Sequence, residues 1–256
     1  MHVEPDLVLA NRLADAAGEV IRPLFRTAVE ATAKPDRSPV TRADRAAEDV
    51  MRRILASDRP RDGIIGEEFG QERPGASRIW VLDPIDGTRA FLAGRPLFGT
   101  LIALLVDGAP VLGVIDQPIL KERWVGQTAA GGATLLNGRK VRVRACPGLS
   151  AARLATTSPW HFSGAGHAAF GRIARLAADT ILGGDCFNYA MLASGHLDLV
   201  VEEGLKVHDW AALVPVVAGA GGIITDWRGR PLRLGAAGDV IAAGDRRVHA
   251  QALERM

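Results

Sequence analysis

The sequence predicts an α+β fold of two lobes, and three successive patterns along the chain predict it. Two amphipathic helical stretches open the chain, residues 80–143 switch to strand-like runs, and the remainder alternates short strands with helices. No Ser/Gly-rich linker or charge block divides the 256 residues. One compact unit is therefore expected, with an N-terminal lobe over 1–148 and a C-terminal lobe over 149–256.

The elements follow in order. Residues 4–26 place Leu9, Leu13, Ala17, Val20 and Leu24 on one face of a helix. A second helix starts after Thr41, with Asp44 three residues on in the arrangement of a capping box and Ala47, Val50, Met51 and Leu55 on its apolar face. Gly63-Ile64-Ile65 reads as a short strand, and Trp80-Val81-Leu82 as a buried one whose ladder Pro84 stops. Runs over 101–106 and 111–115, joined by a turn at Asp107-Gly108, make a hairpin, and 141–144 alternates as a half-exposed strand. Beyond Cys146-Pro147-Gly148 come a strand at 154–157, helices at 167–178 and 186–194, a strand at 197–201, a helix from Asp209 and a strand at 223–225.

Composition narrows the function. Hydrophobic residues make up 48% and charged residues 23% of the chain, an ordinary globular balance. The 31 basic and 29 acidic residues are scattered and leave a formal charge of +2, which gives no nucleic-acid footprint. Cys146 and Cys186 are too few for a disulfide framework and lie in no activating motif, and no nucleophile elbow is present. The N-terminus lacks an apolar signal core and the longest apolar runs are too short to span a bilayer, so a cytoplasmic protein without a membrane partner is expected.

The chemistry concentrates in Asp83-Pro84-Ile85-Asp86-Gly87-Thr88, where two carboxylates stand three residues apart at the end of a strand. Gly87 and Thr88 leave backbone N–H groups that can face an anion, although a plain turn favours the same residue types. Two further acidic sites accompany it: Gly66-Glu67-Glu68, and Asp209 ahead of Trp210-Ala211-Ala212-Leu213. An Asp before an apolar helical run also serves as an N-cap. Taken together, hard carboxylate ligands delivered from element ends suit Mg²⁺ or Mn²⁺ better than zinc.

These three motifs, the last followed by Gly219-Ala220-Gly221-Gly222, resemble in order and spacing the signatures of the inositol monophosphatase superfamily of Mg²⁺-dependent phosphatases. The likeness runs over nearly the whole chain, with one departure. The family often has Trp directly before the last Asp, whereas this chain has His208 there and Trp210 after it. The resemblance implies a layered α-β-α-β-α sandwich of the inositol monophosphatase and fructose-1,6-bisphosphatase type, and two or three Mg²⁺ ions, with Mn²⁺ as a substitute. It implies that Glu67 and Asp83 hold the first ion with the backbone carbonyl of Ile85, that Asp86 bridges toward a second, and that Asp209 completes the second site. A third, weaker ion near Glu67 is common in the family. Thr88, oriented by Asp44, would take the proton of the attacking water with Glu68 or Glu67 in support, while Asp44 can equally be just the N3 residue of its helix. Gly87 and Thr88 would receive the phosphate, with Arg89 among the substrate-binding residues. Lys34 stands where the family has a lysine near the metal loop, a position a surface lysine also fits, and His208 reads as a packing or supporting residue. A homodimer is expected by the same resemblance.

Substrate choice in the superfamily lies in the second lobe, which directs attention to Asp185 and Glu202. Helix capping accounts for Asp185 alone. Two carboxylates opposite the phosphate, however, suit a substrate carrying an ammonium or imidazolium, through charge-assisted hydrogen bonds. Arg89-Ala90-Phe91, where inositol monophosphatases more often carry Thr-Asn-Phe, and Gly184-Asp185-Cys186 resemble the bacterial histidinol-phosphatase branch. That branch implies hydrolysis of the small phosphate ester L-histidinol phosphate to L-histidinol and phosphate, in histidine biosynthesis. The alternatives are inositol-1-phosphate and 3′-phosphoadenosine 5′-phosphate, for the latter of which an aromatic content of 5% offers few adenine platforms. A non-catalytic regulator that binds an anionic metabolite would be marked by a missing ligand, and Glu67, Asp83, Asp86, Thr88 and Asp209 are all present.

Overall fold

A computed structural model of the chain describes residues 4–28, 31–33, 39–128 and 131–256. Helix α1 (Glu4–Ile21) is followed by the antiparallel pair β1 (Ala31–Ala33) and β2 (Pro39–Thr41), then by α2 (Arg42–Asp58). Strands β3 (Gly63–Gly66), β4 (Gly70–Glu72) and β5 (Arg78–Asp86) come next, then the short helix α3 (Thr88–Leu92). β6 (Gly99–Val106), β7 (Ala109–Gln117), β8 (Glu122–Gln127), β9 (Thr134–Leu136) and β10 (Arg139–Val141) complete a sheet of order β10-β9-β8-β7-β6-β5-β3-β4. The rest of the chain runs β11 (Arg153–Thr156), α4 (Gly164–Ala174), β12 (Asp179–Leu182), α5 (Asp185–Ala193) and β13 (Leu199–Glu202). It ends with α6 (Val207–Trp210), α7 (Leu213–Gly219), β14 (Ile223–Asp226), β15 (Val240–Ala243) and α8 (Arg246–Leu253). Here the strands form a second sheet of order β12-β11-β13-β15-β14.

The two-residue period of these strands sorts the apolar side chains into three cores. On β5, Trp80 and Leu82 pack with α1 and α2, while Ile79 and Val81 face the opposite way into a core shared with α5 and α7. β6 repeats the division, with Ile102 and Leu104 on one side and Leu101, Ala103 and Leu105 on the other. In the second sheet Val200 and Ala242 face that same middle core, and Leu199, Val201, Ile241 and Ala243 face a third one with α4 and α8. The layers are therefore α1–α2, sheet, α5–α7, sheet and α4–α8: the expected α+β sandwich. Strands covered on both faces must be apolar at every position, which explains the unbroken hydrophobic runs of the sequence.

Two glycines set the distance of α7 from the first sheet. A Cβ at Gly113 of β7 would lie 2.1 Å from the carbonyl oxygen of Ala212, and one at Gly126 of β8 would lie 2.3 Å from that of Pro215. The helix backbone thus rests directly on the sheet, and α6, just ahead of it, is brought to the end of β5.

Several sequence expectations need correction. Pro84 does not stop the ladder: β5 continues to Asp86 through a register shift between Asp83 and Asp86, where a missing N–H costs no regular bond. The first helix ends at Ile21 and passes into a 3₁₀ turn over Arg22–Leu24. Asp209 is not the start of a helix but the third residue of α6, and the apolar run divides into α6 and α7. Pairing in the alternating 141–144 run stops at Val141. The edge strands β4 and β12, β15 and α8 were not anticipated, and Lys34 lies outside the described residues. No described helix is long and apolar enough to cross a membrane.

Gly113→Ala should destabilise the protein by about 1–3 kcal/mol, because neither the sheet nor the α7 backbone can yield to the added methyl. The check is a shift of the urea midpoint at unchanged slope.

Candidate metal centre

In a regular strand, residues three apart point to opposite faces. The irregularity in β5 overrides this, so that the carboxylates of Asp83 and Asp86 meet that of Asp209, with one oxygen from each lying within 4.8 Å of the others. The turn is held by Ile85 N–H donating to Asp83 Oδ1 at 3.0 Å and by the Thr100 hydroxyl donating to the Pro84 carbonyl at 2.8 Å. Asp209 is fixed as its Oδ2 accepts from Lys206 N–H at 2.6 Å. Glu67, just past β3, forms a second cluster with Asp83 and a ring nitrogen of His208, again within 4.8 Å of one another. Asp83 belongs to both clusters and joins them.

The loop carrying Glu67 is tied down by a residue the sequence reading missed. Glu48 on α2 is fully buried, and its carboxylate accepts from Glu68 N–H at 2.7 Å, Phe69 N–H at 3.2 Å and Arg52 Nε at 2.7 Å. A Glu four residues before an Arg on a helix reads as a surface pair in sequence. Only the fold shows that this pair points inward. Glu68 presents its amide to Glu48 and is not among the residues lining the cleft, whereas Glu67 is.

Electrostatics define the centre. Burial, followed by the charges of Glu67, Asp86 and Asp209, pushes the Asp83 carboxyl well above the usual carboxylate range. Asp86 is likewise pushed well up by burial and by Asp185 and Asp209, against the Cys186 N–H that donates to its Oδ2 at 2.7 Å. Asp209 is raised by burial, with His208 and the Lys206 amide opposing. Carboxylates this close cannot all ionise without a counter-charge, and a divalent cation is the counter-charge such a set of oxygen donors accepts.

Asp44 occupies both positions expected for it. Its Oδ2 accepts from Thr41 N–H at 2.8 Å and the Thr41 hydroxyl at 2.6 Å, capping α2, and its Oδ1 lies 3.4 Å from Thr88 Oγ1. The Thr88 hydroxyl also donates to the Ile85 carbonyl at 3.1 Å, which joins it to the turn that carries Asp83 and Asp86. Burial raises the Asp44 carboxyl, while the bonds from Thr41 lower it.

A cleft of about 500 Å³ opens over the cluster. Gly87, Thr88 and Arg89 line one side, and Asp185, Tyr189, Glu202 and Glu203 line it from the C-terminal half. Asp185 does not cap α5: Gly184 holds the N-cap position, Asp86 accepts the Cys186 amide, and Asp185 has a left-handed φ of 44°. Its carboxylate lies against Gly87, where a Cβ would be 3.1 Å from Asp185 Oδ2. Burial and Asp209 raise Asp185 to about 6 against Arg89. Glu202 accepts from Thr157 N–H at 2.6 Å and from the Thr156 hydroxyl at 3.3 Å, and burial raises it to about 7 despite the Thr157 bonds. Tyr189, also missed in the sequence because it reads as a core position, has a buried hydroxyl with no partner among the described residues.

The family model for the inositol monophosphatase family matches residues 2–256. The chain belongs to this family. It is 50% identical to the bifunctional phosphatase IMPL2, chloroplastic, of Arabidopsis thaliana, over 97% of this chain and 74% of that protein. It is 39% identical to the histidinol-phosphatase of Chlorobaculum parvum, over 88% of this chain and 87% of that one. Among solved structures, an inositol monophosphatase from Zymomonas mobilis superposes with a TM-score of 0.92 at 55% identity, covering 100% of this chain and 98% of that chain.

As a member of the inositol monophosphatase family the protein is a metal-dependent phosphatase of small phosphate esters, and its acidic clusters can hold the metal. The raised carboxyls set a pH dependence for the metal-free protein. Asp185 at about 6 and Glu202 at about 7 stay protonated in the fold where the unfolded chain has already ionised. Their contribution to stability is complete below about pH 4 and is lost as pH rises through 6 to 7. Thermal melts in EDTA should therefore fall between pH 5 and pH 8.

Proposed function

We propose that the protein hydrolyses L-histidinol phosphate to L-histidinol and phosphate. The observation that carries this reading is the pair Asp185 and Glu202 on the cleft wall contributed by the C-terminal half, carboxylates that a cationic amine or imidazolium would satisfy and a neutral polyol would not. The named histidinol-phosphatase at 39% identity supports it. A second reading, inositol-1-phosphate, is favoured by the solved inositol monophosphatase at 55% identity. We further place metal binding mainly in residues 1–148 and specificity in 149–256, with a cytoplasmic homodimer as the working unit.

Glu67, Asp83 and the Ile85 carbonyl would hold one divalent ion, with Asp83 shared and Asp86 and Asp209 completing a second site. Bound there, the ions supply neutralisation of the phosphoryl oxygens and a lowered pKa for the attacking water. The backbone amides of Gly87 and Thr88 orient the phosphate. Thr88 Oγ1 takes the proton of the attacking water as its own hydrogen moves toward Asp44 Oδ1, 3.4 Å away. Asp185 and Glu202 receive the cationic end, and Arg89 moderates the charge of Asp185.

Thr88→Ala should lower kcat by roughly 10²-fold, the scale of a lost proton-transfer group, with metal affinity held. Steady-state kinetics beside metal-binding calorimetry separate this from a merely structural role, which would lower affinity instead.

The substrate is tested by kcat/KM for histidinol phosphate, inositol-1-phosphate, phosphoadenosine phosphate and an aryl phosphate, each measured with Mg²⁺ and with EDTA. Histidinol phosphate should lead, and Asp185→Ala and Glu202→Ala should each raise its KM by roughly tenfold or more while changing the aryl phosphate little. A lead for inositol-1-phosphate would replace the substrate and leave the phosphatase standing. Full turnover in EDTA would overturn the metal role.

A further inference from the structure

His208 stands directly before Asp209 in the sequence. In the fold its ring does more than fill the space of an aromatic side chain. A ring nitrogen gathers with carboxylate oxygens of Glu67 and Asp83, all within 4.8 Å of one another. Donors on opposite sides of one ion stand about 4.2 Å apart when each bond is about 2.1 Å, so a small adjustment closes this set on a single cation. The ring lines the cleft, its side chain is 11% exposed, and it is backed by Asp209. Its Nε2 stands 3.6 Å from Asp209 Oδ1, too long for a hydrogen bond. Hydrophobic packing alone would not require a nitrogen facing two carboxylates.

We infer that His208 is a metal ligand, joining Glu67 and Asp83 to give one of the two clusters a mixed nitrogen and oxygen donor set that takes Mn²⁺ in preference to Mg²⁺. Imidazole suits first-row transition ions, whereas Mg²⁺ holds to oxygen. The Asp83, Asp86 and Asp209 cluster keeps oxygen donors only. The two halves of the centre therefore differ in metal preference although they share Asp83. This inference rests on the metal-binding reading of the carboxylates and is independent of which ester is hydrolysed.

The test uses metal-free protein loaded with Mn²⁺ and examined by pulsed electron paramagnetic resonance. The wild type should show the ¹⁴N modulation of a directly bound imidazole, and His208→Phe should lose it. Calorimetry should find Mn²⁺ affinity about tenfold or more weaker in His208→Phe, with Mg²⁺ affinity changed less than about twofold. His208→Gln, which keeps a polar side chain of similar length, should lose the modulation as well and guards against a folding defect in the Phe variant. Mn²⁺ bound to wild type with no ¹⁴N modulation, modulation that persists in both variants, or equal weakening of both ions would overturn His208 as a ligand while the carboxylate centre stood. Failure of the wild type to bind either ion would overturn the centre and this inference together.

Discussion

The structure depends on holding the carboxylates of Glu67, Asp83, Asp86 and Asp209 together in a partly buried centre that can take a cation. Such a set opposes folding when no cation balances it, since burial and mutual repulsion both act against ionisation. The surrounding backbone is arranged to bear this. Glu48 ties the Glu67 loop, the Cys186 amide meets Asp86, and the Lys206 amide meets Asp209. Each carboxylate is thus fixed by a hydrogen bond to itself or to its loop, so little side-chain order remains to be imposed when a cation arrives.

The layered sandwich makes that convergence possible. Asp83 and Asp86 end a strand of the first sheet, Asp209 sits on a short helix of the middle layer, and Glu202 ends a strand of the second sheet. These are three different layers meeting at one edge. The close approach of α7 to Gly113 and Gly126 fixes the separation of the first two. A helix held by bulky side chains would stand further off, and Asp209 with it.

The cleft joins two unlike environments. The N-terminal half brings Glu67 and Asp86 of the clustered carboxylates to it, and the C-terminal half brings Asp185 and Glu202, whose carboxyls burial raises. Asp185 reaches that position only because the Gly183-Gly184 turn and its own left-handed backbone release it from capping α5, which Asp86 serves instead. Backbone strain at a non-glycine residue lining a cleft is the kind of feature that a binding role sustains.

The sequence by itself determined the elements with strong periodicity and the acidic motifs that the fold gathers, because hydrophobic alternation and short acidic signatures are local properties. Trp80 to Leu82, the 101–115 hairpin, the Thr41–Asp44 cap and the carboxylates of Glu67, Asp83, Asp86 and Asp209 were legible in that way. Edge strands of three or four residues, such as β4 and β12, escaped because they carry too few positions to show a period. Passage of the strand through Pro84 escaped because proline forbids a regular ladder but not an irregular one. Only the tertiary structure decided that Glu48 points inward, that Asp185 faces the cleft rather than its own helix, and that His208 meets Glu67 and Asp83. Each of these depends on residues far apart in the chain whose distance is set by how the layers pack, and no local pattern carries that information.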